Sequence, residues 1–194
     1  MRICIFGASG RELDRAYFDA AEELGRLLAQ GGHTLVFGGG AEGLMGACAR
    51  GAASQGGEIV GIAPRFFDEP GILFEGCSRF VYTDTMRERK AAMEAESEAF
   101  IALPGGIGTF EEFFETLTLR QLGRHSKPIA VLDTLGYYAP MLAMLEKAAA
   151  DGFMSRNCLR LFRLCDTPAE ALSHVLHDEP LRGGLRRLVD YTRG

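Results

Sequence analysis

A glycine-rich turn between an apolar run and a helical pattern limits the possible folds of this chain more than any other stretch. Residues 99–103 (AFIAL) are apolar enough for a buried strand, and residues 104–112 (PGGIGTFEE) follow without a break. The glycines of this turn allow backbone conformations closed to other residues and let a ligand approach the main chain. A strand, a tight turn and a helix in direct succession are typical of a parallel α/β sheet.

The same succession recurs along the chain. Apolar runs and helical spacing predict strands at residues 2–6, 34–37, 59–63, 80–82, 99–103, 127–132 and 161–165, and helices at 13–30, 43–55, 86–97, 109–123, 138–150 and 168–176. Strands that alternate with helices require right-handed crossovers. The predicted fold class is therefore α/β: a single-domain, Rossmann-like, doubly wound and mostly parallel sheet with helices on both faces. We expect this domain to span residues 1–178, followed by an arginine-containing tail at 179–194 that is either a partner-binding helix or a frayed end.

Composition excludes several classes of protein. A length of 194 residues with 47% hydrophobic content suits one domain with a full core. The net charge of −5 gives no electrostatic footprint for nucleic acid or an anionic membrane. No stretch reaches the roughly 18 apolar residues of a membrane span, and the N-terminus lacks a signal-peptide cleavage site. Five cysteines without a C-x-x-C pair are typical of reduced thiols, so we expect a cytoplasmic protein.

The turn at residues 104–109 predicts an anion site. A helix that opens on a glycine turn offers free N–H groups and the positive end of its dipole to a phosphate. The predicted binding residues are Gly105, Gly106, Ile107, Gly108 and Thr109. Glu112 follows one helical turn later, within reach of whatever the phosphate carries. The alternative is a capping box, in which Glu112 only accepts from the backbone N–H of Thr109.

A second charged segment, MRERKAAM at residues 86–93, strengthens this prediction. Helical spacing places four of its residues on one face: Met86, Arg89, Lys90 and Met93. Buried cations need an anionic partner, which Glu112 and a phosphate would supply. We expect Arg89 to hold Glu112 ionised and Lys90 to contact the phosphate. In the alternative, both cations lie along the helix edge and pair with Glu94 or Glu96.

Two more glycine turns follow predicted strands, at residues 7–10 and 38–40. Ligands of parallel sheets bind beyond the carboxyl ends of the strands, so the three turns predict one shared nucleotide site. The further binding residues are Ser9, Gly39, Gly40 and Gly43. For the first turn a plain strand-to-helix connection is the alternative, with Ser9 and Glu12 capping the helix. The run at 38–40 lacks the G-x-G-x-x-G pattern, and the histidines are scattered, so we predict neither a dinucleotide cofactor nor a metal.

Several ordered motifs resemble the LONELY GUY (LOG) family of cytokinin riboside 5′-monophosphate phosphoribohydrolases, long mislabelled as lysine decarboxylases. They are FGGG at 37–40, GLMG at 43–46, MRERK at 86–90, PGGIGTFEE at 104–112 and GYY at 136–138. The resemblance runs from about residue 2 to about residue 165. It implies hydrolysis of the N-glycosidic bond of a cytokinin-type or adenosine nucleoside 5′-monophosphate, with release of the base and ribose 5-phosphate. It also implies Arg89 and Glu112 as catalytic residues, Thr118 as a ligand position, no cofactor, and a homodimer or higher homo-oligomer. In this reaction Arg89 would either hold Glu112 ionised and in place or assist the departing base.

The chain departs from the family pattern at three places. The acidic residue that lies near the base in the family falls on Gly71 here, where Glu69 or Glu75 could substitute. Leu119 replaces a common tryptophan and Arg120 a small residue, changes expected to alter the dimer face or the pocket wall.

Two rival functions remain to be weighed. A nucleotide or molybdenum-cofactor carrier of the same fold would bind a phosphate without cleaving anything, but it would need only the turn and not Arg89 with Glu112. A lysine decarboxylase needs a lysine Schiff base to pyridoxal phosphate, and no lysine of this chain stands in such a setting.

Overall fold

The computed structural model describes residues 1–178, in which strands and helices alternate as predicted. The strands are Arg2–Phe6 (β1), Thr34–Phe37 (β2), Ile59–Pro64 (β3), Arg79–Thr83 (β4), Ala99–Ala102 (β5), Ile129–Leu132 (β6) and Arg163–Cys165 (β7). The α-helices are Arg15–Gln30 (α1), Gly43–Ser54 (α2), Met86–Glu96 (α3), Ile107–Gln121 (α4), Ala139–Ala150 (α5) and Pro168–His177 (α6). The predicted tail at 179–194 lies outside the described residues.

The seven strands form one sheet in the order β4-β3-β2-β1-β5-β6-β7, and every neighbouring pair is parallel. This confirms the predicted α/β fold class, with a sheet that is wholly rather than mostly parallel over the described residues. The direction in which strands are added reverses between β1 and β5, which lie side by side at the centre. Ligands of such sheets bind in the crevice outside this reversal point.

Helices cover both faces of the sheet because side chains alternate along each strand. Ile3 and Ile5 of β1 belong to the core that α1, α2 and α6 cover. Cys4 and Phe6 of the same strand belong to the opposite core, under α3, α4 and α5. Both cores are closed to water, which leaves the ends of the strands as the place for a site. No helix among the described residues has the length and apolar character that a bilayer span requires.

Glycines let α1 and α2 cross at close range. A Cβ added to Gly25 would lie 2.0 Å from the carbonyl oxygen of Cys48, and one added to Gly51 would lie 2.1 Å from that of Glu22. The small residues of α2 therefore allow backbone contact with α1, and not only the close contact with the sheet that the sequence suggests.

Two helix starts differ from prediction by two residues. Helix α1 begins at Arg15, and the carboxylate of Asp14 accepts from the backbone N–H of Ala16 at 2.9 Å. The alternative in which Ser9 and Glu12 cap this helix is therefore wrong, because both precede the helix start by several residues. Helix α4 begins at Ile107, with Gly106 as the N-cap residue and no side-chain cap.

The earlier start of α4 decides between the two interpretations of Glu112. Thr109 lies inside the first helical turn, so it cannot be the capping residue. The predicted start at Thr109 and the capping-box alternative are both wrong. The carboxylate of Glu112 is thereby available for another partner.

Candidate active site

A buried ion pair between α3 and α4 lies at the carboxyl edge of the sheet. Nη1 of Arg89 is 2.7 Å from Oε1 of Glu112, and the two side chains are only 7% and 10% exposed. Nε of Arg89 also donates to the carbonyl oxygen of Ile62 in β3, at 3.3 Å. The expected pairing of Arg89 with Glu112 is thus observed, and the alternative pairing of Arg89 with Glu94 or Glu96 is wrong.

The end of β2 makes room for this guanidinium. A Cβ added to Gly38 would lie 2.0 Å from Nη2 of Arg89. In the sequence Gly38 is only one member of a glycine run, so its role beside Arg89 could not be assigned from the sequence. Only a residue without a side chain fits between the strand end and the ion pair.

Burial and charge act in opposite directions on Glu112. Removal from water raises the pKa of its carboxyl group above the ordinary value, and the guanidinium of Arg89 opposes this rise without cancelling it. From the sequence only the effect of Arg89 on Glu112 could be predicted. A carboxylate with a raised pKa is a better proton acceptor than an exposed one, which suits it to general-base chemistry.

A cavity of about 620 Å³ opens beside the ion pair, at the carboxyl edge of the sheet. Its volume lies within the roughly 300–1,000 Å³ that is usual for small-molecule sites. It brings together eight of the predicted site residues: Ser9, Gly40, Arg89, Gly106, Ile107, Gly108, Thr109 and Glu112. Over residues 1–178, no three His, Cys, Asp or Glu side chains are grouped as they would be to hold a metal ion.

Three predicted glycines shape the cavity without lining it. A Cβ on Gly105 would lie 2.1 Å from Oγ1 of Thr109, and one on Gly43 would lie 2.2 Å from the carbonyl oxygen of Ala8. Gly39 has a φ of +78°, a conformation that side chains disfavour. These three residues hold the turns in shape. Thr118 is exposed on α4 and is not among the cavity residues.

Lys90 lies on the outer side of α4 and is not among the residues that line the large cavity. Its Nζ pairs with Glu111 and, at 2.8 Å, with Glu115 on α4. It lines a separate cavity of about 120 Å³ on the other side of Glu112, and not the larger one. Consecutive helical residues point about 100° apart, so Lys90 faces the outer side of α4 while Arg89 faces inward. The alternative pairing of Lys90 with Glu94 or Glu96 is therefore wrong, and its contact with a phosphate stays a prediction.

Comparison with known proteins identifies the family. A family model described as "Possible lysine decarboxylase" matches residues 45–175. The probable cytokinin riboside 5′-monophosphate phosphoribohydrolase LOGL1 of Oryza sativa subsp. japonica is 40% identical over 192 residues, which cover 99% of this chain and 80% of that protein. Cytokinin riboside 5′-monophosphate phosphoribohydrolase LOG2 of Arabidopsis thaliana is 39% identical over 160 residues, which cover 82% and 75%. The chain belongs to the LOG family.

Solved structures share the fold of this LOG-family chain. The molybdenum cofactor binding protein of Rippkaea orientalis superposes with a TM-score of 0.69 at 21% identity, covering 90% of this chain and 94% of that one. The molybdenum cofactor carrier protein of Chlamydomonas reinhardtii gives a TM-score of 0.68 at 22% identity, covering 90% and 95%. At this level of identity the likeness shows a common fold only.

An apolar wall of the cavity lies beside the glycine turn at the end of β2, where a Cβ on Gly39 would lie 3.5 Å from Leu73 and one on Gly40 would lie 3.7 Å from Met45. It is formed by Met45, Phe67, Ile72, Leu73 and Met86. Sequence reasoning did not select these residues, although three of them lie in the loop where the LOG family pattern changes. The loop is held against the end of β2 by backbone hydrogen bonds, from Ala41 to Ile72 at 2.9 Å and from Phe74 to Gly39 at 2.8 Å.

The acidic residue expected from this loop is not in the cavity. Gly71 is among the lining residues, whereas Glu69 and Glu75 are not. The lining instead includes Arg11 and Glu42, two charged residues that sequence reasoning also missed. Neither lies in a motif of the resemblance, so only their position in the fold identifies them.

Two tyrosines support the turn at residues 104–109. The hydroxyl of Tyr137 donates to the carbonyl oxygen of Gly105 at 2.6 Å, and that of Tyr138 donates to Leu103 at 2.7 Å. Burial raises the pKa of Tyr138, so its hydroxyl stays a donor. The GYY motif of the LOG resemblance thus has a structural role, because it holds the turn from behind.

Arg120, one of the positions where the chain departs from the family pattern, does not lie where that departure was expected to act. Its side chain is 3% exposed, pairs with Asp178 at 2.6 Å and donates to the carbonyl oxygen of Leu161 at 2.7 Å. Arg120 therefore ties α4 to the chain around β7 and α6. It is not on a surface available to a second subunit or in the wall of the large cavity.

Proposed function

We propose that this LOG-family chain hydrolyses the N-glycosidic bond of a purine nucleoside 5′-monophosphate, of the cytokinin or adenosine type, and releases the base and ribose 5-phosphate. The buried pair of Arg89 and Glu112, beside a cavity that also contains the first turn of α4, carries this proposal. The printed names of the LOGL1 and LOG2 relatives denote the same activity.

The cavity offers a place for each part of such a substrate. The 5′-phosphate would accept from backbone N–H groups at the start of α4, where the helix dipole favours an anion. Glu112 lies about 7.5 Å further along the helix axis than Ile107, which leaves room for a ribose ring between phosphate and carboxylate. The base would then extend toward the apolar wall of Met45, Phe67, Ile72, Leu73 and Met86.

The ion pair suits the chemistry of glycoside cleavage. As the bond between C1′ and the base nitrogen breaks, its electron pair leaves with the base and positive charge develops on the ribose ring. The carboxylate of Glu112 would stabilise that charge and accept a proton from the attacking water, whose oxygen bonds to C1′. Arg89 would position Glu112, since its planar fork reaches Ile62 and the carboxylate at once.

A homo-oligomer and a cytoplasmic location remain predictions. Thr118 matches a family ligand position, yet it is exposed on α4 and outside the cavity of its own chain. That placement supports a contribution of Thr118 to the cavity of a neighbouring subunit. Light scattering coupled to size-exclusion chromatography would test it, and a monomer that is fully active would contradict it.

The rival interpretation is a carrier that binds a nucleotide or molybdenum cofactor and returns it intact. The decisive assay incubates the protein with AMP and with isopentenyl-adenosine monophosphate, without added metal, and separates the products by chromatography. Free base and ribose 5-phosphate are the expected products. Nucleotide that is bound but recovered unchanged would support the carrier.

Three variants test the catalytic roles of Arg89 and Glu112. Glu112→Gln and Arg89→Ala should each lower the rate of base release by about 100-fold or more, as loss of a general base or its positioning residue does. Glu111→Gln is the matched control, because its side chain is 53% exposed and contacts Lys90 on the outer face of α4. Equal losses in Glu111→Gln and Glu112→Gln would contradict the assignment of Glu112.

A further inference from the structure

The charges around the large cavity are balanced before a substrate enters. Two of its described lining residues are cationic, Arg11 and Arg89, and two are anionic, Glu42 and Glu112. A phosphate monoester brings a charge of about −1.5 to −2 at pH 7. Arg89 is already bound to the buried carboxylate of Glu112. Of the two cationic lining residues, Arg11 is therefore the one that is available to bind a phosphate.

The position of Arg11 agrees with this role. It follows the turn at the end of β1, next to the turn at the end of β5, and the backbone N–H of Ala8 donates to the carbonyl oxygen of Pro104 at 3.1 Å. A Cβ on Gly105 would lie 3.0 Å from the same nitrogen of Ala8, so the two turns are in contact. Arg11 and the first turn of α4 line one cavity.

The present partner of Arg11 is easily exchanged. Its Nε lies 3.5 Å from Oε2 of Glu42, and the two side chains are 70% and 46% exposed. Exposed pairs of this kind contribute little to stability. Glu42 is the N-cap residue of α2, yet its side chain caps nothing. Neither side chain is needed to hold the local fold, in contrast to Arg89 and Glu112.

We propose that Arg11 binds the 5′-phosphate of the substrate and exchanges Glu42 for it as partner. This inference rests on the proposed function, since it names a further binding residue of the same site. Two substitutions should therefore have opposite effects on the affinity for phosphate. Loss of Arg11 weakens phosphate binding, whereas neutralising Glu42 removes a competing partner of Arg11 and strengthens it. A purely structural role of the pair would give the same sign for both changes.

Ribose 5-phosphate is the probe, because it carries the phosphate and no base. Isothermal titration of the full chain should give a Kd about tenfold higher for Arg11→Gln, the usual effect of losing a charge-assisted hydrogen bond. For Glu42→Gln the Kd should be about two- to threefold lower, in line with the small strength of an exposed pair. Arg15→Gln, which removes an exposed arginine paired with Asp19 on α1, is the matched control and should leave the Kd unchanged.

Adenosine separates a phosphate contact from damage to the cavity. Its Kd should change by less than about twofold in Arg11→Gln, because it has no phosphate for the guanidinium to bind. An equal loss for adenosine and ribose 5-phosphate would overturn the proposal, as would an unchanged Kd for ribose 5-phosphate; both leave the hydrolase assignment intact. A native protein that binds neither AMP nor ribose 5-phosphate would overturn this proposal and the proposed function together.

Discussion

Arg89 on α3 and Glu112 on α4 form a buried ion pair with 2.7 Å between Nη1 and Oε1. Arg89 is anchored a second time, on the carbonyl oxygen of Ile62 in β3. The pair therefore joins two helices and the sheet at the place where we expect the chemistry. Removing one partner of a buried pair leaves the other unpaired, so conservative substitutions are the most informative tests.

The substitution Arg89→Lys should not preserve activity. A lysine keeps the positive charge, but its single ammonium group cannot reproduce the fork that contacts Ile62 and Glu112 together. We expect kcat to fall by about tenfold to 100-fold as the positioning of Glu112 is lost. Steady-state kinetics with AMP would measure this, alongside thermal unfolding to show that the variant is folded. Arg87→Lys, at an exposed position of the same helix, is the control, and equal activity of both variants would contradict the role of the fork.

Gly105→Ala should lower stability, whereas Gly108→Ala should not. A Cβ on Gly105 would lie 2.1 Å from Oγ1 of Thr109, so the turn must shift, while a Cβ on Gly108 meets nothing within 4 Å. Strain of this kind costs about 1–3 kcal/mol, whereas alanine in an open helical position stabilises by about 0.4–1 kcal/mol. The free energy of unfolding from urea titration compares the two. A stable Gly105→Ala variant would show that the turn can adapt.

Arg120→Met should destabilise the fold by about 3–5 kcal/mol, the usual cost of breaking a buried ion pair. The substitution leaves Asp178 without its partner and the carbonyl oxygen of Leu161 without its donor. Arg124→Met, at an exposed position in the loop after α4, should stay within about 0.5 kcal/mol of the native protein. Urea titration again gives both values. We expect the two variants to differ by about 3–5 kcal/mol in their free energy of unfolding. A difference of less than about 1 kcal/mol would mean that Arg120 does not tie α4 to α6.

His125 should make stability fall as the pH drops. Burial lowers the pKa of its imidazole from 6.5 to about 4, and Nδ1 accepts from the backbone N–H of Lys127 at 3.2 Å, so Nε2 carries the proton and donates to the carbonyl oxygen of Thr116. At pH values between these two pKa values, the imidazole of His125 is protonated in the unfolded chain and neutral in the folded chain. The free energy of unfolding should therefore decrease toward acid, by up to about 1.4 kcal/mol per pH unit from this group.

The variant His125→Gln isolates that contribution. Its unfolding free energy, measured by urea titration from pH 4.5 to pH 8, should fall less steeply than the native value in the window between 6.5 and about 4. Above that window the two curves should run parallel, since neither state binds a proton there at this residue. Identical slopes below pH 6.5 would contradict the neutral state of the half-buried His125.

Local pattern was enough to predict the fold. Most strands are apolar runs that end in a turn, and most helices carry apolar residues at helical spacing, so element type and order could be predicted directly. The helix starts were less accurate, because two residues more or less of α4 do not change its periodicity. The start at Ile107 depends on how the preceding turn packs against its neighbours, which no local pattern records.

For the site, the sequence by itself determined which residue types were present and which shared a helix face. That was sufficient to select Arg89 and Glu112, because spacing on each helix indicates its inward side. Only the tertiary structure decided what lies opposite each side chain. Lys90, about 100° round from Arg89, meets the outer carboxylates of α4, and Arg11 and Glu42 come from two different turns to one cavity. A side chain's partner depends on how separate elements pack, and helical or strand periodicity carries no information about that.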